Sequence, residues 1–161
     1  MRKLTYETVF TEYLPDEIPA EYVELIEEAK RQTQKAYAIY SNFQVGAALL
    51  LENGKIIGGN NQENAASPSG ICAERTAVFY ANSQYPDVPI KAIAIAAYTN
   101  SDFISSPISP CGSCRQVLLE TENRYGKDIQ LILYGKKRIY VLNKVRQLLP
   151  FSFDGNSLER K

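Results

Sequence analysis

The residues able to do chemistry are few, and they are grouped. All three cysteines fall in two short segments, Ile71-Cys72-Ala73-Glu74-Arg75 and Ser109-Pro110-Cys111-Gly112-Ser113-Cys114-Arg115. There is no histidine, which removes the usual general base, the usual proton shuttle and the commonest metal ligand. Any chemistry must use carboxylates, thiols, hydroxyls, amines or backbone. Each cysteine segment reads as a helix N-terminus, where free N–H groups and partial positive charge steady a thiolate. Cys111 and Cys114 stand at i, i+3 on one helix face, so both sulfurs can reach one ion, and Cys72 would join them from another helix. Three thiolates leave one tetrahedral position of a Zn²⁺ open, the mark of a catalytic centre, whereas structural zinc sites close with a fourth ligand. Soft thiolates favour zinc over magnesium or calcium. Glu74, two residues after Cys72 on the same turn, can take a proton from an activated water and deliver it to a leaving group. Two plainer readings compete. A redox C-x-x-C would leave one thiol over, and Cys111-Gly112-Ser113-Cys114 lacks flanking aromatic residues; chance burial of three cysteines is the other.

These side chains need a frame. Glu21 to Ala38 predicts an amphipathic helix, with Tyr22, Leu25, Ile26 and Ala29 on one face. Gln44 to Leu51 reads as an apolar strand, and Glu52-Asn53-Gly54-Lys55 as a hairpin turn leading to Ile56-Ile57. A loop rich in Gly, Asn, Ser and Pro covers residues 58–71, and a helix runs from Cys72 to Asn82. Lys91 to Tyr98 is a nearly continuous apolar strand. Ser109 reads as the N-cap of a further helix, with Pro110 at its first position and Gly126 as its stop. Asp128 to Tyr134 and Arg138 to Leu142 read as strands, and Asn143 as the cap of a last short helix before Pro150. Alternating strands and helices predict an α/β fold, a three-layer α/β/α sandwich with a mixed five-stranded sheet. Residues 1–20 form an N-terminal arm and 21–161 one catalytic domain.

Composition narrows the function classes. The chain has 161 residues, 45% hydrophobic and 22% charged, which fits one folded domain. Eighteen basic and eighteen acidic residues give no net charge, so no nucleic-acid partner and no anionic membrane surface is expected. Charge is nonetheless uneven. Residues 1–30 hold eight acids and three bases, and residues 123–161 nine bases and three acids, which reads as two solvated faces. Apolar runs such as Val45 to Leu51 fall far short of the roughly 20 residues of a membrane helix. The first residues lack the apolar core of a signal peptide, so a cytoplasmic location is expected, and a disulfide scaffold is not.

The segment Cys72-x-Glu74 followed by Pro110-Cys111-x-x-Cys114 resembles the zinc nucleoside and nucleobase deaminase signature, in its all-thiolate form. Three further matches narrow the resemblance. Ala36-Tyr37-Ala38-Ile39-Tyr40-Ser41-Asn42-Phe43-Gln44-Val45-Gly46-Ala47-Ala48-Leu49, Asn61-Gln62-Glu63-Asn64-Ala65 and Cys72-Ala73-Glu74-Arg75-Thr76-Ala77 are similar to segments of the small homotetrameric cytidine deaminases. With Pro110-Cys111-Gly112-Ser113-Cys114-Arg115-Gln116 they stand in the family's order and spacing, and the match runs from about residue 22 to 155. The resemblance implies a cytidine deaminase-like fold and hydrolytic deamination of cytidine and 2′-deoxycytidine in pyrimidine salvage. It implies one Zn²⁺ per subunit held by Cys72, Cys111 and Cys114, with Glu74 moving the proton while activated water attacks C4. It also implies that Asn61 and Glu63 hold the ribose hydroxyls and that Phe43 packs on the pyrimidine. The Ala73 N–H and the Ser109 carbonyl would face the base's polar edge. Phe153 would enter a neighbouring subunit's site, in a homotetramer or, alternatively, a dimer.

Three thiolates around a dication leave a net charge of −1, which weakens a Lewis acid. Two helix N-termini and Arg75, hydrogen-bonding a thiolate, are expected to offset it. Ser67, Gln62 and Ile39 depart from the family's usual residues and bear on sugar specificity. Rival readings are a deaminase of a modified cytosine nucleoside such as blasticidin S, which Asn61 with Glu63 disfavours, an RNA- or DNA-editing deaminase, which the neutral charge disfavours, and a non-catalytic zinc-binding subunit. Glu74 separates the last of these, because a structural site has no use for it.

Overall fold

The structure, a computed structural model, describes residues 1–158, so the last three residues of the expected domain lie outside it. The described elements follow the expected order. They are β1 (Thr11–Tyr13), α1 (Ala20–Thr33), β2 (Gln44–Leu51), β3 (Ile56–Asn60), α2 (Ala73–Gln84), β4 (Ile90–Thr99), β5 (Asp102–Phe103), α3 (Gly112–Tyr125), β6 (Gln130–Tyr134) and β7 (Ile139–Leu142). One sheet runs β1-β7-β6-β4-β2-β3, with β5 paired to β4. The β4–β6 pair is parallel and the others are antiparallel, so the sheet is mixed. It has seven strands rather than the five expected. The two additions are β1 and β5, of three and two residues, too short to carry a readable period.

Side-chain alternation builds two apolar layers, one on each face of the sheet. Ala47, Leu49 and Leu51 of β2, with Ile93 and Ile95 of β4 and Leu131 and Leu133 of β6, pack against Ala73, Ala77 and Val78 of α2 and Leu118 and Leu119 of α3. The other face carries Ala48, Ala92, Ala94, Ala96 and Ile132 against Leu25, Ile26 and Ala29 of α1. Alanines dominate that face, so α1 lies close to the sheet. A Cβ on Gly46 would stand 2.0 Å from the Ala29 carbonyl oxygen. The three-layer α/β/α arrangement is therefore the observed one.

Element ends differ where tertiary bonds override local preference. The helix expected to reach Ala38 stops at Thr33. Tyr37 is taken into extended pairing instead: its N–H donates to the Asn61 carbonyl (3.0 Å), and its carbonyl accepts from Glu63 N–H (2.8 Å). Ser109 is not an N-cap and Pro110 is not the first helical residue. The cap of α3 is Cys111, because the first helical bond runs from Arg115 N–H to the Cys111 carbonyl at 2.9 Å. The Ser109 hydroxyl accepts from Arg115 Nη2 instead, at 3.0 Å. Gly126 does end α3, in the left-handed region at φ 60°. The short helix expected before Pro150 is a single 3-10 turn, Val145–Leu148. It is opened not by Asn143 but by the Glu122 carboxylate, which accepts from Val145 N–H (2.7 Å) and Arg146 N–H (3.3 Å).

Candidate active site and metal centre

Two helix N-termini meet at one edge of the sheet's α2/α3 face. Cys72 caps α2 and Cys111 caps α3, and Cys114 lies one turn further along α3, fully buried. The approach depends on Gly59 in β3. A Cβ there would fall 2.6 Å from Ala77 N and 2.7 Å from the Ala73 carbonyl, so glycine lets the first turn of α2 close onto the sheet. The three sulfurs lie within 4.8 Å of one another, and Cys72 and Cys111 are 3.8 Å apart. A tetrahedral ion with bonds of ~2.3 Å to sulfur separates its ligand sulfurs by ~3.8 Å, so the donor set and its spacing fit zinc. All three thiols are free of disulfides.

The site's electrostatics follow from this crowding. The Cys72 thiol is held down to about 5, first by the Cys114 thiol against the opposing effect of burial, and further by Arg75 and Cys111. Cys114 is pushed up, first by that same contact with Cys72, then by burial and the Glu74 charge. Arg75 Nη2 lies 3.7 Å from Cys72 Sγ, and Arg75 Nε is buried without a hydrogen-bond partner among the described residues. Glu74 is 5% exposed, and burial raises its carboxyl above the ordinary range. A carboxyl so raised sits nearer the pH at which it can both take and give a proton.

A cavity of about 540 Å³ opens beside the thiols, lined by Tyr40, Asn61, Glu63, Ser67, Cys72 and Arg75 among others. The ribose candidates Asn61 and Glu63 therefore share this space with one of the three thiols, Cys72, while Cys111, Cys114 and Glu74 do not line it. Glu63 accepts the Tyr40 N–H (2.9 Å), the Ser41 N–H (3.3 Å) and the Ser41 hydroxyl. These donors, the hydroxyl first, hold its carboxyl below the ordinary range. Asn61 accepts the Val45 N–H on Oδ1 (2.7 Å) and donates from Nδ2 to the Phe43 carbonyl (3.0 Å). One amide hydrogen and one lone pair of Asn61 stay available.

Phe43 is half-buried and does not line the cavity, although its backbone is tied to Asn61 and Ser41. Ala73 is buried at the first position of α2, and Ser109 lies exposed before α3. Phe153 is 60% exposed, away from this cavity, with its carbonyl held by Gln116 Nε2 at 2.9 Å. Two residues of consequence were not singled out by the sequence reading. Arg115 binds the Pro110 carbonyl (2.8 Å), the Ser109 hydroxyl and the Leu148 carbonyl (3.0 Å), bracing the thiol loop. Ser41 is the other, and its position two residues before Phe43 was the available signal, since serine commonly bonds the backbone two residues on.

Comparison with known proteins agrees with this geometry. Residues 20–125 match the family described as the cytidine and deoxycytidylate deaminase zinc-binding region. The chain is similar to a cytidine deaminase of Sporosarcina psychrophila, 40% identical over 142 residues that cover 83% of this chain and 92% of that protein. A cytidine deaminase of Halalkalibacterium halodurans is 48% identical over 96 residues, 60% of this chain and 68% of the relative. The fold superimposes on a crystal structure of cytidine deaminase from Burkholderia pseudomallei with a TM-score of 0.71 and 39% identity, covering 84% of this chain and all of that one.

Proposed function

The chain belongs to the cytidine and deoxycytidylate deaminase family, and from that membership we propose that it hydrolyses cytidine and 2′-deoxycytidine to uridine and 2′-deoxyuridine with release of ammonia, in pyrimidine salvage. One observation carries the reading: three sulfurs within 4.8 Å at two helix N-termini, with the buried Glu74 carboxyl in the first turn of α2. Cys72, Cys111 and Cys114 would hold one Zn²⁺ per subunit and leave a position open. Zinc there would supply the Lewis acidity that makes water a nucleophile near neutral pH.

The chain's own groups do the rest. Glu74 takes a proton from the attacking water as C4 becomes tetrahedral and passes it to the ring nitrogen; it then takes the proton of the new C4 hydroxyl and passes it to the amine, which leaves as ammonia while the C4 carbonyl forms. Its raised affinity for protons, caused by burial, suits both directions of transfer. The Ala73 N–H and the Ser109 carbonyl orient the polar edge of the base, and Phe43 packs on its face. Asn61 and Glu63 hold the sugar hydroxyls. Arg75 offsets the surplus thiolate charge through Cys72. Phe153 completes the pocket of a neighbouring subunit in a homotetramer. Residues 1–20 form an arm, and the rest one catalytic domain. Free thiols that must bind metal need a reducing compartment, so we place the protein in the cytoplasm. Among the described residues no helix is long and apolar enough to cross a membrane.

Glu74→Gln tests the reading. Wild type should carry about one zinc per chain and convert cytidine to uridine, followed by absorbance and ammonia release. The variant should keep its zinc and lose roughly 10²- to 10⁴-fold in turnover, the size of general acid–base catalysis. A variant that retains turnover overturns the assignment of Glu74. A wild type with zinc but no deaminase activity points instead to the non-catalytic zinc-binding subunit.

A further inference from the structure

Among the described residues Glu63 is the only carboxylate lining the cavity, and its orientation is set by a residue that does not itself line it. A carboxylate offers about four lone-pair positions. Oε2 receives two backbone donors, the N–H groups of Tyr40 and Ser41. Oε1 receives the Ser41 hydroxyl, which leaves it one position for a ligand hydroxyl. The Ser41 hydroxyl has a single hydrogen, and its oxygen already accepts the Phe43 N–H at 3.0 Å. The hydrogen is therefore committed to Glu63, and the oxygen to the backbone of Phe43. Asn42, between the two, takes φ 54°, a left-handed conformation that asparagine tolerates and that folds Ser41 back under Phe43. The Phe43 carbonyl is held in turn by Asn61.

We propose that Ser41 is a positioning residue for sugar recognition: it fixes the one free acceptor of Glu63 and ties it to the loop that carries Phe43. The proposal rests on the deaminase reading and adds a residue to it. Its chemistry is specific, because only a ligand with a hydroxyl at that place gains from the arrangement. Ser41 acts on binding in ground state and transition state alike, so its loss should appear in KM rather than kcat.

The test compares cytidine with 2′,3′-dideoxycytidine, which keeps the base and the 5′-hydroxyl but lacks the 2′- and 3′-hydroxyls. Ser41→Ala should raise KM for cytidine about tenfold, the loss expected from one hydrogen bond to a charged group, with kcat within about twofold. Its kcat/KM for dideoxycytidine should move less than about twofold. Ser41→Thr, which keeps the hydroxyl, should restore most of the affinity for cytidine. Ser41 is exposed, so the alanine variant opens no cavity in the core and keeps the fold. Equal losses on both substrates would show that Ser41 only stiffens the loop and would overturn the proposal. An unchanged KM for cytidine overturns it as well. Both results require a wild type that deaminates cytidine; a wild type that does not overturns the functional reading, and the Ser41 assignment falls with it.

Discussion

The role proposed for Arg75 is to balance the charge of the thiol site. Its guanidinium reaches the Cys72 sulfur through Nη2 at 3.7 Å, while Nε is buried without a hydrogen-bond partner among the described residues. In the proposed zinc site, removing the cation would leave three thiolates facing one dication with only the two helix N-termini to offset them. Arg75→Gln should therefore lower turnover about 10- to 100-fold, the usual cost of losing a partner of a metal ligand, while zinc content measured by atomic emission falls much less. Normal turnover in that variant sinks the role; zinc loss in proportion to activity would make Arg75 a metal-retention residue instead. The thiols were legible in the sequence because few arrangements use three cysteines with two of them one helical turn apart, and an N-terminal turn is where a thiolate is steadied. Ser41 was not, because a serine in a loop is ordinary until its partner, Glu63, is seen in space. The expectation for Asn61 needed refinement too, since half of its amide is spent on the backbone of Val45 and Phe43.

The elements show where local pattern stops being informative. Long periodic stretches such as α1, β2 and β4 were readable, because burial on a helix face or both faces of a strand leaves a regular trace in residue type. The ends were not. Tyr37 leaves α1 for a bridge to Gln62, a pairing decided 25 positions away in the chain, and β1 joins the edge strand β7 only because the arm returns to it. Thr8 and Gln147 fasten that return, the Thr8 hydroxyl donating to the Gln147 carbonyl (2.8 Å) and Gln147 Nε2 to the Val9 carbonyl (3.0 Å). Glu122 makes the same point for α3. It is 6% exposed, and its carboxylate takes the N–H groups of Ile129, Val145 and Arg146, so one side chain joins the end of α3 to the start of β6 and to the 3-10 turn. Burial pushes its carboxyl up and the three donors pull the other way. Glu122→Ala strands those donors and should cost about 3 kcal/mol, from buried N–H groups left unpaired. Thermal unfolding should register a drop of roughly 6–12 °C, at 2–4 °C per kcal/mol for a chain of this size. A loss below ~1 kcal/mol would mean that water takes over all three bonds.

The whole molecule exposes more aromatic surface than one chain needs. Phe79 and Tyr80 stand out from α2 at 49% and 55% exposure, and Phe151 and Phe153 from the C-terminal segment at 87% and 60%. Phe151 also holds a left-handed backbone, φ 56°, which costs a bulky residue about 1–3 kcal/mol and persists only where surroundings impose it. Its ring meets Tyr6 of the arm at 4.7 Å between centroids, so the arm helps to set the path of the segment that ends in Phe153. The proposed homotetramer would cover these side chains. Sedimentation velocity should then give a mass four times the chain's 18.1 kDa. Phe153→Ala should raise KM for cytidine by roughly tenfold without changing that mass, on the ~1–3 kcal/mol of burying an aromatic against a ligand. A fully active monomer would remove Phe153 from any shared pocket, and the exposed aromatics would then need another partner.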